Sequence, residues 1–282
     1  MNQIIELYGV PILSADPIDW LKITDDQQCP FIENKCTKVR KSSPHITIGS
    51  CAVSYGRDHK SIIICPNRLL KKRQIFLDCI HLLTLHEPGN QLHVIPEISI
   101  PGGSVDYVLL STKNEKVRDF VGIELQTLDT TGTTWPARQK FLTDIGVNVD
   151  IQDVDFNKSF GMNWKMTAKT ILIQLNHKIK TFENLNKHLV LVLQDHLLEY
   201  MQREFQFSHL NGGLIGDSMQ FHVYSLEQVP NADYRLNLDA RFSTNTEGVA
   251  TSLGLQADPN LTLEHIVALL ESKLSSQTLL TI

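Results

Sequence analysis

Ser104-Val105-Asp106-Tyr107-Val108-Leu109-Leu110 and Phe120-Val121-Gly122-Ile123-Glu124-Leu125-Gln126-Thr127-Leu128 read as two strands joined by a polar loop containing Asn114. Folded as an antiparallel hairpin centred near Glu115, they set Asp106 opposite Glu124. Opposed residues on one sheet face have Cβ atoms roughly 5 Å apart, and two like charges so placed repel unless something positive lies between them. A divalent cation resolves the conflict, and carboxylate oxygens with water and a phosphate oxygen suit Mg²⁺. Side chains alternate along a strand, so Gln126 shares the Glu124 face while Val105, Tyr107, Ile123 and Leu125 turn toward the core. A metal held this way activates water and stabilises charge on a phosphodiester, the chemistry of phosphodiester hydrolysis. An acidic pair also fits a solvated face, but the apolar strands around this one favour the site.

Upstream, Leu92 to Ile100 reads as extended and Pro101-Gly102-Gly103 as a turn, and Glu97, after Pro96, is either an additional carboxylate near the metal or an exposed strand charge. Leu69 to Leu85 has helical spacing, as does Asn163 to Phe182, where Lys165, Lys169, Lys178 and Lys180 suggest a helix lying across a phosphate backbone. Leu189-Val190-Leu191-Val192-Leu193 reads as a buried strand and His196 to Phe207 as a helix. Met219 to Leu226 and Tyr234 to Phe242 alternate as strands, and Leu261 to Leu274 reads as an amphipathic helix capped by Thr262. Short strand-like pieces fall at Ile46 to Ile48 and Ser61 to Ile64, and the acidic first 28 residues, with Pro11 and Pro17, suggest an irregular or partly helical lead-in. The class is mixed α/β.

With 282 residues, 42% of them hydrophobic, the chain can bury a core without disulfide staples. It has no apolar stretch of membrane-spanning length and no secretory start, so the expectation is a cytoplasmic protein with no membrane association. The net charge of −5 is unevenly spread. Lys35 to Arg73 carries ten basic residues against Asp58, a balance of +9, while the chain from Val190 onward has a balance of −7. A basic segment of this kind is either a polyanion-facing side or a solvated face.

That segment also contains most of the thiols. Cys29, Cys36, Cys51 and Cys65 give the spacing C-x6-C-x14-C-x13-C, whereas Cys79 sits in an apolar helical pattern and reads as core. In a reducing compartment such a cluster points to a metal, and four thiolates would hold Zn²⁺ or iron tetrahedrally with no open position, making the site structural. The same cysteines scattered through a core are the plainer alternative.

The combination of Cys29-Pro30-Phe31, Cys36-Thr37-Lys38, Gly49-Ser50-Cys51-Ala52-Val53, Cys65-Pro66-Asn67-Arg68, Ser104-Val105-Asp106-Tyr107 and Glu124-Leu125-Gln126-Thr127 resembles the NotI-type restriction endonucleases over about residues 29 to 145. The resemblance implies a PD-(D/E)xK nuclease core with a mixed central sheet flanked by helices, plus a small N-terminal four-cysteine metal-binding module. It further implies Asp106 and Glu124 as Mg²⁺ ligands, Gln126 where such sites usually carry lysine, and iron on the four cysteines. A neutral amide orients water but offers no positive charge. The corresponding organisation is 1–75 metal-binding module, 76–230 nuclease core and 231–282 C-terminal extension packed on the core. The implied function is a type II restriction endonuclease cutting double-stranded DNA at a GC-rich palindrome containing GGCC, and a palindrome implies a homodimer. Lys38, Arg40, Lys41, Arg68, Arg138, Lys140 and Lys165 are the candidate DNA contacts. A non-catalytic DNA-binding regulator built on the four-thiolate module is the alternative, and a repair or recombination nuclease a third reading.

Overall fold

The computed structural model describes residues 2–14, 16–149, 154–229, 234–254 and 263–273. Its centre is a seven-stranded mixed sheet built from β1 (Gln91–Ile100), β2 (Gly103–Lys113), β3 (Lys116–Gln126), β4 (His188–Gln194), β5 (Met219–Gln228) and β6 (Tyr234–Thr244), with a two-residue strand at Asn211–Gly212. The strands lie side by side in chain order, from β1 at one edge to β6 and the short strand at the other. β1, β2 and β3 form an antiparallel meander, β3, β4 and β5 run parallel, and β6 returns antiparallel. Parallel neighbours need crossovers, which are supplied by helices α1 (Trp164–Asn184) and α2 (Asp195–Glu204). This confirms the mixed α/β class and the central sheet flanked by helices.

Because β4 lies between two parallel neighbours with both faces covered, it has no polar alternation, and all seven of its residues are buried. Each buried Val or Leu contributes roughly 1.5–3 kcal/mol relative to exposure, so Leu191→Asp would break the sheet at its middle. One sheet face packs Leu189, Leu191, Phe221 and Val223 against Ala168, Ile171, Leu175, Ile179 and Phe182 of α1. The other packs Leu109, Val121, Ile123, Val190 and Val192 against Leu69, Leu70, Ile75, Phe76 and Leu82.

That second covering layer differs from the continuous helix expected over Leu69 to Leu85. It is a 3-10 stretch at Pro66–Arg73, one α-turn at Gln74–Leu77 and a further 3-10 turn at Ile80–Leu82. Lys72 and Arg73 have φ of 56° and 55°, the left-handed region, which ends a right-handed helix however favourable its apolar spacing.

Residues before 75 form a four-stranded antiparallel sheet that includes Gln3–Leu7, Ser50–Tyr55 and Lys60–Ile63. Both hydrophobic cores contain residues from it, Ile4, Leu7 and Val53 in one and Ile5, Ala52 and Ile63 in the other. Gln194, at the end of β4, joins the two sheets by accepting from the Ile63 N–H at 2.9 Å and donating to the Ser61 carbonyl at 2.6 Å. The residues before 75 therefore share both cores with the central sheet. Within 231–282, β6 pairs with β5 as part of that sheet. The closing helix spans Leu263–Glu271, while its expected cap, Thr262, lies outside the described residues. No helix among the described residues is long and apolar enough to cross a membrane.

Candidate active site

The hairpin of β2 and β3 has the register expected from its alternation: Tyr107 pairs with Ile123, Val108 with Gly122 and Lys113 with Lys116. Continued by one residue, this register puts Asp106 across from Glu124, and there the ladder changes character. Instead of a further backbone pair, the Asp106 carboxylate Oδ2 accepts from the Leu125 N–H at 2.8 Å. A side chain has replaced a main-chain acceptor, and the strands part from this point. The two acids act on each other electrostatically, Asp106 raising the pKa of Glu124.

Glu124 is only 4% exposed and faces α1. Its Oε1 accepts from Lys178 Nζ at 2.8 Å, in an ion pair whose side chains are 8% and 5% exposed. Burial pushes the Glu124 carboxyl up to about 7; Lys178 opposes that rise and Asp106 adds to it. The positive charge demanded by the opposed acids is thus present as an ammonium. Lys178, expected from its sequence to face a phosphate backbone with its neighbours, is instead inside. It belongs to the buried stripe Ile171, Leu175, Lys178, Phe182, whose spacing of four, three and four is that of a core-facing helix side.

The turn Pro101-Gly102-Gly103 closes over this lysine. Gly102 has φ +96°, and a Cβ there would overlap the His177 carbonyl oxygen; a Cβ on Gly103 would lie 3.2 Å from Lys178 Cε. Thr181 Oγ1 also donates to the Pro101 carbonyl at 3.0 Å. Two residues lacking side chains therefore seat the hairpin directly on the helix backbone, above the lysine stem.

Gln126 is half-buried, and its Nε2 donates to the Thr127 carbonyl at 2.6 Å. Glu97 stands across from Asp106 in the constant β1–β2 register but is exposed, with φ 52°, and its charge acts on Tyr107. The groups acting on Glu124 are Lys178 and Asp106, so Glu97 is not brought to the pair as a third carboxylate. Among the described residues, no group of three or more His, Cys, Asp or Glu side chains is gathered to hold a metal ion. Mg²⁺ requires less than that, being commonly held by one or two carboxylates with water and substrate phosphate. Asp106 and Glu124, as hard oxygen donors, fit that ion.

The closed four-cysteine module expected from the spacing is likewise not seen. All five cysteines are free thiols, and Cys51 Sγ donates to the Gly49 carbonyl at 3.4 Å. Protonated thiols turn to backbone partners of their own, which loosens any tetrahedral arrangement. The four are still close enough to feel one another: Cys36 raises the pKa of Cys29, and Cys29 raises those of Cys51 and Cys65. Burial pushes the Cys29, Cys51 and Cys65 thiols up. Backbone N–H groups of Phe31 and Ile32 at Cys29, Gly9 at Cys51 and Asn67 at Cys65 pull the other way, as does Lys38 at Cys65. Such N–H groups favour thiolate, the form that binds metal. Cys79 is buried core, as expected, with Sγ 3.7 Å from His222 Nδ1.

Two candidate DNA contacts are corrected by burial. Arg68 is fully buried, pairing with Glu6 Oε2 at 2.6 Å and donating to the Tyr234 carbonyl at 2.9 Å. Arg138, 3% exposed, donates to the Ile48 carbonyl at 3.0 Å and to Tyr8 Oη at 3.3 Å. Both cations build the N-terminal half. Lys38, Lys41, Lys140 and Lys165 are exposed, and the half-exposed Arg40 stacks on the Trp135 ring at 4.6 Å. Lys38, Arg40, Lys41 and Lys158 line one open groove with Thr133 and Trp135 of the loop that follows β3.

No protein-family model matches the chain, and no curated protein matches it. The site therefore rests on its own geometry. Strand alternation singled out Asp106, Glu124 and Gln126 but gave no sign of Lys178 as the partner of Glu124. The signal was a lysine on the apolar stripe of a long helix, where a charge needs an internal counter-ion.

Proposed function

We propose that this protein is a Mg²⁺-dependent endonuclease acting on double-stranded DNA, a type II restriction enzyme cutting as a homodimer at a GC-rich palindrome. What supports this reading is that backbone pairing between β2 and β3 ends at Tyr107 with Ile123, next to an Asp106 that accepts from the Leu125 N–H and acts electrostatically on the buried Glu124–Lys178 pair. A purely architectural strand pair has no use for opposed acids there. The basic groove beside the loop after β3 supports the same substrate, since phosphate neutralisation by Lys and Arg supplies much of the affinity for DNA.

Hydrolysis adds one water across the ester: its oxygen bonds to phosphorus, the bond from phosphorus to one sugar oxygen breaks, and one water proton ends on that departing oxygen. Mg²⁺ on Asp106 and Glu124 would supply a polarised phosphoryl oxygen and an activated water. The protein's own groups orient the parts. Asp106 is fixed by the Leu125 N–H, Glu124 by Lys178, and Gln126 presents an amide that can align a water on the same face.

Digestion of plasmid and phage DNA with Mg²⁺, followed by sequencing of the ends, tests the reading. Discrete fragments with common ends are expected, and DNA left intact across a broad set of substrates would overturn it. Under the same reading Cys29, Cys36, Cys51 and Cys65 would have to draw together to hold a structural iron or zinc, since no group of three or more such side chains is gathered among the described residues; the N–H groups at Cys29, Cys51 and Cys65 are what favours their thiolates. Metal analysis should find iron or zinc in the purified protein and its loss, with reduced stability, in Cys36→Ser. Wild-type protein that is fully stable and carries neither metal would rule this out.

A further inference from the structure

We propose that Lys178 is a working part of the nuclease site: its ammonium holds the Glu124 carboxylate in the metal-free protein and, with Mg²⁺ bound at the acids, would be released to the phosphate oxygen that Gln126 leaves uncharged. The inference rests on the endonuclease reading above. Its basis is positional. Lys178 Nζ lies 2.8 Å from Glu124 Oε1, and Glu124 in turn lies within electrostatic reach of Asp106. The ammonium thus sits beside the acids between which a cation is expected. Gln126, two residues along β3 and on the same face, is neutral, so positive charge at this face comes from the helix rather than the strand.

A lysine buried merely to fill space would be a poor choice, because taking two charges out of water costs several kcal/mol per ion and apolar residues of similar volume often do as well or better. The surrounding backbone is also shaped to this side chain. Gly102 and Gly103 let the hairpin turn close onto the helix at His177 and Lys178, and Thr181 ties Pro101 to the same helix. The lysine stem is thereby held near Gly103, so moving the ammonium off Glu124 requires a change only in the terminal torsions, which have other staggered wells. A flexible, compact cation suits that handover better than the rigid fork of arginine.

Two measurements test this. In the wild-type protein without added metal, nitrogen-detected NMR should show a slowly exchanging Lys178 ammonium, and saturating Mg²⁺ should shift or remove that signal as the hydrogen bond to Glu124 is lost. In kinetics, Lys178→Met should lower kcat at least 100-fold with KM for DNA changed less than threefold. Lys178→Arg should fold as the wild type does and recover part of the rate. Moving the charge, in the double variant Lys178→Met with Gln126→Lys, should restore at least tenfold over Lys178→Met. An ammonium signal indifferent to Mg²⁺, or a Lys178→Met protein cutting at the wild-type rate, would overturn the inference while leaving the nuclease reading intact. A wild-type protein that cuts no DNA overturns both.

Discussion

Two buried acids lie on the same strand, β3, and they are treated in opposite ways. Asp119 is 2% exposed, and both its oxygens are engaged: Oδ1 by Lys187 Nζ at 2.7 Å and the Phe120 N–H at 2.8 Å, Oδ2 by the Leu85 N–H at 2.8 Å. Burial works against its charge, but Lys187 and the two N–H groups outweigh burial and hold its pKa below the ordinary 3.8. Glu124 is 4% exposed, has one lysine and faces another acid, and its pKa is pushed up to about 7. Two acids shielded from solvent on one strand thus differ, Asp119 held by a lysine and two N–H groups and the more deeply set Glu124 by one lysine against a second acid. A saturated acid is a fastener. An acid left short of partners is poised to take another cation.

The comparison can be broken first at Glu124. Glu124→Gln should reduce Mg²⁺-dependent cleavage about a thousandfold or more, since several kcal/mol of charge stabilisation depend on the ligand. The amide can still accept from Lys178, so at pH 4.5 and below, where Glu124 is itself protonated, denaturant unfolding should move little. Wild-type cleavage in this variant would remove Glu124 from the chemistry.

Asp119→Ala should show the reverse. It strands Lys187 and two N–H groups, costing about 3 kcal/mol of stability, while cleavage by the folded fraction stays within threefold. Urea unfolding with single-turnover kinetics checks both halves.

The titrations should also separate. Glu124 has a folded pKa above its ordinary 4.5, so its contribution is fully present below pH 4.5 and is lost as pH rises toward 7. Asp119 has a lowered folded pKa, so its contribution is present above pH 3.8 and is lost on further acidification. Without added metal, wild-type stability should therefore fall relative to Glu124→Gln by on the order of 2 kcal/mol between pH 4.5 and 7. A constant difference across that window would contradict the description of Glu124.

The smallest effect extends the contrast to cations. Exposed Lys140 lacks the internal partners of buried Arg138, so Lys140→Ala should change stability by less than about 0.5 kcal/mol. If it meets DNA, the salt dependence of binding should flatten by about one unit in Lys140→Ala. An unchanged slope would remove Lys140 from the DNA-facing set.

The sheet and the register of its hairpin were legible because a period of two leaves little freedom: once the loop is centred near Glu115, the pairing of Tyr107 with Ile123 follows. Helix α1 was legible from its stripe. The ion pair was not, because a lysine is ordinarily counted as solvent-facing and its partner lies 54 positions away. The break at Lys72 and Arg73 was hidden for a different reason, since left-handed backbone at non-glycine residues leaves no trace in an apolar period. The cysteine spacing suggested a closed metal module, but spacing along the chain does not fix where side chains point, and no group of three or more such side chains is gathered among the described residues. For Arg68 and Arg138, local charge counting could not tell a groove-facing guanidinium from one buried beneath carbonyl oxygens.

The replacement of a carbonyl by the Asp106 side chain divides the hairpin into a zipped half and an open half. Above it, from Tyr107 with Ile123 to Lys113 with Lys116, backbone pairing bears the mechanical duty. Below it, each tail is carried by its outer neighbour alone, residues 103–105 by β1 and Glu124 to Gln126 by β4, so the two strands can diverge there without loss of their places in the sheet.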